Sequence, residues 1–151
     1  VYGSIRRVVF SGENHYLGNI DTNSQDMVLT FRNTHNWIKY GGVENIYRAF
    51  HRVLKKGGIL GVVQHRARND DDVKESAKNG YVPEKYLINL AEKVGFELVE
   101  KSEINANPKD NKDHPKGVWT LPPTLRLGDS DKKKYIEIGE SDRMTLRFIK
   151  L

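Results

Sequence analysis

Two short runs in this chain mass hydrogen-bonding and titratable side chains just after an apolar stretch. In the first, Arg32, Asn33, His35, Asn36 and Trp37 follow Met27, Val28, Leu29, Thr30 and Phe31. In the second, Gln64, His65, Arg66 and Arg68 follow Ile59, Leu60, Gly61, Val62 and Val63. A short apolar run suits a strand buried on both faces, and open α/β sheets place ligands beyond the C-terminal ends of such strands. Histidine titrates near neutrality, so His35 is a candidate general base, with Asn33 orienting a nucleophile. His65 and Arg66 are expected beside them. The competing structural reading has His35 and Asn36 closing a turn and Trp37 packing on the following helix. Glu13 and Asn14, after the expected strand 5–10, form a third polar end.

The elements that must position these groups are readable from periodicity. Val43, Ile46, Tyr47, Phe50, Val53 and Leu54 recur on one face of a helix spanning residues 43–54. Lys55 and Lys56 then place positive charge at its end, and Gly57 is expected as the left-handed cap. A helix between two apolar strands is a βαβ unit, which makes strands 26–31 and 59–63 parallel. Asp72 closes an acidic run that opens a loop or helix. Pro83 is expected at the first position of a second helix, whose stripe is Tyr86, Leu87, Leu90, Ala91 and Val94. Residues 96–104 read as a strand, 105–117 as a polar loop and 118–123 as extended chain. Residues 144–149 alternate as a closing strand, with Met144, Leu146 and Phe148 on one face. This strand is expected antiparallel to 59–63 and wedged between it and 96–104.

Composition bounds the function. The 151 residues make one domain, and no cysteine is present, which excludes disulfides, thiolate catalysis and cysteine-ligated metals. Lysine and arginine number 25 against 20 acidic residues, a net charge of +5. That balance suits an anionic ligand or nucleic acid, and equally an ordinary solvated surface. The basic residues are scattered apart from Lys132, Lys133 and Lys134, so nucleic acid ranks low as a partner. No apolar run reaches the ~18 residues of a membrane span. No signal peptide opens the sequence, so a cytoplasmic location is expected. Asp110, Asp113 and His114 offer metal-ligand types, but a solvated loop is the simpler reading and no metal is expected. The Ser141, Asp142, Arg143 run reads as a turn with an internal Asp–Arg pair. His51 and His114 are expected at the surface.

Three motifs carry a resemblance. Asp26-Met27-Val28-Leu29, the helix end Arg52-Val53-Leu54-Lys55-Lys56-Gly57-Gly58 and the strand at 59–63 are similar to the middle of class I S-adenosylmethionine-dependent methyltransferases. Glu92-Lys93-Val94-Gly95-Phe96 resembles that family's last helix end. Residues 30–37, Gln64-His65-Arg66-Ala67 and Glu140-Ser141-Asp142-Arg143-Met144 resemble a bacterial subgroup of these enzymes. The resemblance implies an α/β, Rossmann-like sheet with a C-terminal antiparallel hairpin, S-adenosylmethionine as cofactor and a small-molecule acceptor. It also implies cofactor contacts at Glu13, Asn14, Phe31 and Arg32, and catalytic roles for Asn33, His35 and His65. The family's glycine-rich loop, GxGxG, and the acid that binds the ribose are absent. Residues 5–10 correspond to the third strand, so the sheet is expected to lack its first two strands and the chain to be part of a longer protein. An edge of Met27, Val28, Leu29 and Phe31 would then be bare, inviting self-association or pairing with residues 5–10. The alternatives are a methyltransferase-like structural domain without activity and, lower, a basic nucleic-acid-binding module.

Overall fold

The computed structural model describes Ile5, Val8, Phe10 and residues 16–151. Glu13, Asn14 and most of the expected strand 5–10 lie outside these residues. The elements run β1 (Gln25–Phe31), α1 (Thr34–Tyr40), α2 (Val43–Val53), β2 (Leu54–Ala67), α3 (Val73–Lys78), β3 (Val82–Pro83), α4 (Glu84–Lys93), β4 (Phe96–Ser102), a 3₁₀ turn (Gly117–Thr120), α5 (Lys132–Ile138) and β5 (Arg143–Lys150). The sheet order is β1-β2-β5-β4, with β3 paired to the far end of β2. β1 and β2 are parallel. β5 is antiparallel to both β2 and β4, and lies between them. This is the mixed sheet with a closing antiparallel pair that the apolar pattern demanded.

Helices α2 and α4 bury one face of the sheet. Tyr47, Phe50, Leu87 and Leu90 meet Leu60, Val62, Leu146 and Phe148 in a single core. Fully burying each such side chain contributes about 1.5–3 kcal/mol. The opposite face begins with Met27, Leu29 and Phe31, which are 51%, 55% and 60% exposed. Among the described residues no strand pairs with the outer edge of β1.

Several local expectations change. Gly57 does not cap α2, because Leu54 is already extended and β2 starts there. Gly57, at φ +77, instead turns the chain inside an irregularity where register with β1 jumps from Leu54 to Ile59. Lys55 leaves the helix end altogether, its Nζ 2.6 Å from Asp26 Oδ1. Pro83 is the residue before α4 rather than its first, held as the last residue of β3. Asp72 does begin α3, its carboxylate accepting the N–H groups of Lys74 and Glu75. Residues 34–40 form a helix, where the sequence suggested only a polar turn. Residues 117–120 form a 3₁₀ turn rather than extended chain.

Candidate functional site

Arg32 ends β1 with φ +54, a left-handed conformation that costs a side chain other than glycine ~1 kcal/mol. The bend is locked from behind: the Arg32 N–H donates to the Val63 carbonyl at 2.7 Å. It reverses the chain into α1 and turns His35 inward, where the side chain is 4% exposed. His65, near the end of β2, presents its ring 5.9 Å from that of His35. Both line one cavity of about 620 Å³ together with Phe31, Arg32, Trp119, Ser141 and Arg143. The βαβ topology brings the two polar bursts to the same end of the sheet.

Hydrogen bonds set the state of each ring. The Gln64 amide nitrogen donates to the Gly80 carbonyl at 2.9 Å, which fixes the amide's orientation. The same nitrogen lies 3.3 Å from His35 Nδ1. An amide N–H only donates, so Nδ1 accepts and the neutral ring carries its hydrogen on Nε2. Burial lowers the His35 pKa. His65 Nδ1 sits 2.5 Å from Ser141 Oγ. Its pKa is pushed down to about 3, first by burial, then by repulsion from His35 whenever that ring is protonated and from the charges of Arg32 and Arg143. Both rings are neutral at physiological pH.

The other expected residues separate. Asn33 accepts from the Asn36 amide at 2.9 Å and lines a different depression, with Phe10, Val28 and Trp37. Trp37 packs edge-on against Tyr47 and Phe50, as the packing reading held. Arg66 turns away from the cavity into a cluster of carboxylates. Its guanidinium meets Asp142 at 3.0 Å, Glu84 at 3.1 Å and Glu103 at 2.6 Å. Asp142 therefore pairs with Arg66 and not with Arg143, whose partner is Glu140 at 2.5 Å.

The 105–117 loop is not wholly solvated. Asp110 is 2% exposed, and its carboxylate takes the Tyr81 hydroxyl, the Asp142 N–H and His114 Nε2. The His114 side chain is 3% exposed, not at the surface. His51 is half-buried against Phe96. Among the described residues no group of His, Asp or Glu comes together that could hold a metal ion.

Sequence reasoning missed Trp119, Arg126 and Ser141 as parts of the cavity. The 3₁₀ turn delivers Trp119, whose ring meets His35 edge-on at 5.9 Å. Arg126 stacks on Trp119 at 5.0 Å. The sequence suggested only extended chain over 118–123, and nothing in its spacing pointed to β1.

No protein-family model matches the sequence, and no curated protein does. Solved structures match at the level of fold. A Methanosarcina mazei S-adenosylmethionine-dependent methyltransferase aligns with a TM-score of 0.58 and 13% identity, covering 93% of this chain and 65% of its own. The [4+2]-cyclase SpnF aligns at 0.55 and 15% identity, covering 86% and 52%. Haemonchus contortus phosphoethanolamine N-methyltransferase 2, solved in complex with S-adenosyl-L-methionine, aligns at 0.50 and 14% identity, covering 87% and 34%. This chain has the class I methyltransferase fold, and it spans less than two thirds of the length of these neighbours. A cyclase among them shows that the fold alone does not name the reaction.

Proposed function

We propose that this chain forms the acceptor side of an S-adenosylmethionine-dependent methyltransferase acting on a small molecule. The observation that supports it most is the facing of His35 and His65 in one cavity, at the C-terminal ends of two parallel strands. The cofactor, when bound, supplies an electrophilic methyl group on a sulfonium centre. The residues present fit part of it. Phe31, 60% exposed at the cavity, offers a ring face to a purine. Among the described residues the single carboxylate of the cavity, Glu140, is engaged by Arg143, so none of them is free there for ribose hydroxyls.

Methyl transfer depends mainly on proximity and orientation. His35, held by Gln64, presents Nε2–H as a fixed donor that orients the acceptor's lone pairs. His65 can give Nδ1–H to Ser141 Oγ and leave the Nε2 lone pair to take a proton from an acceptor that must lose one. Asn33 supports the start of α1 instead of reaching the acceptor.

Calorimetry with S-adenosylmethionine tests the reading. The 151-residue chain, which has no glycine-rich loop, is expected to bind weakly or not at all. Affinity on the order of micromolar is expected once strand and glycine-loop elements encoded upstream are joined to it. Absence of binding in the extended protein would favour a structural domain. In that protein His35→Ala and His65→Ala should each slow transfer by about 10²-fold with the fold intact.

The bare edge of β1 supports a partner proposal. Unpaired backbone groups beside Met27, Leu29 and Phe31 recruit another strand, and a second copy of this chain supplies one. Light scattering should give a dimer or larger species, reduced to monomer by Leu29→Lys. A monomer at high concentration would refute the pairing.

A further inference from the structure

The charge on the cavity wall is lopsided. Among the described residues Arg32, Lys39, Lys78, Arg126 and Arg143 line it against one carboxylate, Glu140. Two of these cations are neutralised, Arg143 by Glu140 and Lys78 by Glu75. Among the described residues the other three, Arg32, Lys39 and Arg126, form no ion pair. Arg126 lies on the Trp119 ring at 5.0 Å and Lys39 over the Tyr40 ring at 5.2 Å, contacts that hold a cation without cancelling its charge. Arg32 stands where the backbone favours glycine. A protein stores like charge and backbone strain together at a binding site more readily than on an idle surface.

We infer that this cavity takes an acceptor carrying a phosphate or carboxylate group, bound by the unpaired cations Arg32, Lys39 and Arg126 beside the Trp119 ring. The word acceptor rests on the methyltransferase reading; the anion site does not. Burial is the main reason His65 does not take a proton, and an anion would offset the positive field that adds to it, so binding and proton acceptance would support one another.

The test uses the 151-residue chain, with inorganic phosphate and succinate as probes and the imidazole resonances of His35 and His65 as readout. Saturable shifts with at least one probe are expected, together with a rise in the His65 pKa. Arg32→Gly should weaken binding about tenfold or more while raising the thermal midpoint, because glycine relieves the left-handed residue. Loss of binding together with loss of stability would mark Arg32 as structural and overturn its assignment. Arg147→Gln, which removes a cation paired with Glu100 on β4, should leave binding unchanged; an equal loss there would reduce the effect to net charge. No saturable shift with either probe overturns the inference. So does tighter, steeply salt-dependent binding of a single-stranded oligonucleotide, which would make the surface a nucleic-acid site. Anion binding without methyl transfer in the extended protein would sink the enzymatic reading alone. Transfer to an acceptor with no anionic group would sink this one alone.

Discussion

Arg32 and Arg66 lie at the same end of the βαβ unit, Arg32 just past β1 and Arg66 in the last residues of β2, yet their surroundings are opposite. Arg66 is clasped by Asp142, Glu84 and Glu103. Arg32 has no ion pair among the described residues and sits in a strained backbone conformation on a cavity wall. One guanidinium is satisfied and holds the hairpin to the sheet. The other is left available. A polar cluster at the end of a strand is therefore two kinds of thing, and what separates them is whether the protein supplies the counter-charge itself.

The sharpest way to break this comparison is to remove the satisfied arginine. Arg66→Ala leaves Asp142, whose side chain is 8% exposed, with Lys112 as its remaining cation. Breaking a largely buried pair costs about 3 kcal/mol or more, read as a fall in the urea midpoint at constant slope. Anion binding at the cavity should survive wherever the protein is folded. Asp142 adds a pH signature. Burial raises its pKa, but Arg66, the Asn107 N–H and Lys112 outweigh burial and hold it below the usual carboxylate value. Its contribution is full above pH ~4 and disappears as pH falls through the folded pKa. A stability equal to wild type for Arg66→Ala would mean that the cluster is solvated and idle.

Those partnerships explain what the sequence could disclose. The apolar alternation in 144–149 and the helical stripe in 43–54 are local patterns, and both elements, with their parallel and antiparallel pairings, were legible. Arg66 and Asp142 lie 76 residues apart, and Arg66 and Glu103 lie 37 apart. No local rule distinguishes such an arginine from Arg32, so both looked like site residues. Helix α1 was hidden because seven residues carry too few turns for a 3.6-residue stripe to emerge. His114 and Asp110 looked solvated because their hydrophilic neighbours in sequence are not their neighbours in space. Tyr81 and the backbone of Asp142 are. The half of the cavity wall around Trp119 and Arg126 comes from a loop whose position only the fold decides.

A middle-sized effect comes from His65. The folded chain keeps it neutral down to about pH 3, whereas the unfolded chain protonates it near the ordinary imidazole value of 6.5. Between those values the unfolded state binds more protons, so stability rises with pH through that window and is level above it. The slope contributed by one such group is at most ~1.4 kcal/mol per pH unit. His65→Asn should flatten the stability profile between pH 4 and 6. Phosphate in the buffer should flatten it too if the cavity holds an anion, since an anion raises the folded pKa. A wild-type slope retained by His65→Asn would place the titration elsewhere, with His35 and His51, whose pKa values are lowered in the same direction, as the next groups to replace.

The smallest effect concerns how rigidly the available arginine is presented. Arg32 and His35 keep their positions only if α1 stays seated, and the Asn33 side chain does not cap the backbone N–H groups at its N-terminus. What seats it is Thr34, 1% exposed, whose hydroxyl meets the Tyr47 hydroxyl at 3.0 Å in the core of α2. Thr34→Val keeps the shape and removes the bond, leaving the Tyr47 hydroxyl buried without that partner. The expected loss is ~1 kcal/mol. Tyr47→Phe should cost about the same, and the double variant little more than either, because the two changes remove one interaction. Additive losses would show that the hydroxyls do not act as a pair. If Thr34 only stabilises, phosphate should bind the folded variant as it binds wild type. If it also holds the bend at Arg32, binding should weaken in Thr34→Val and not in Arg66→Ala, although Arg66→Ala is the less stable protein. That inversion, weaker binding in the more stable variant, would separate a positioning role for α1 from general loosening of the fold.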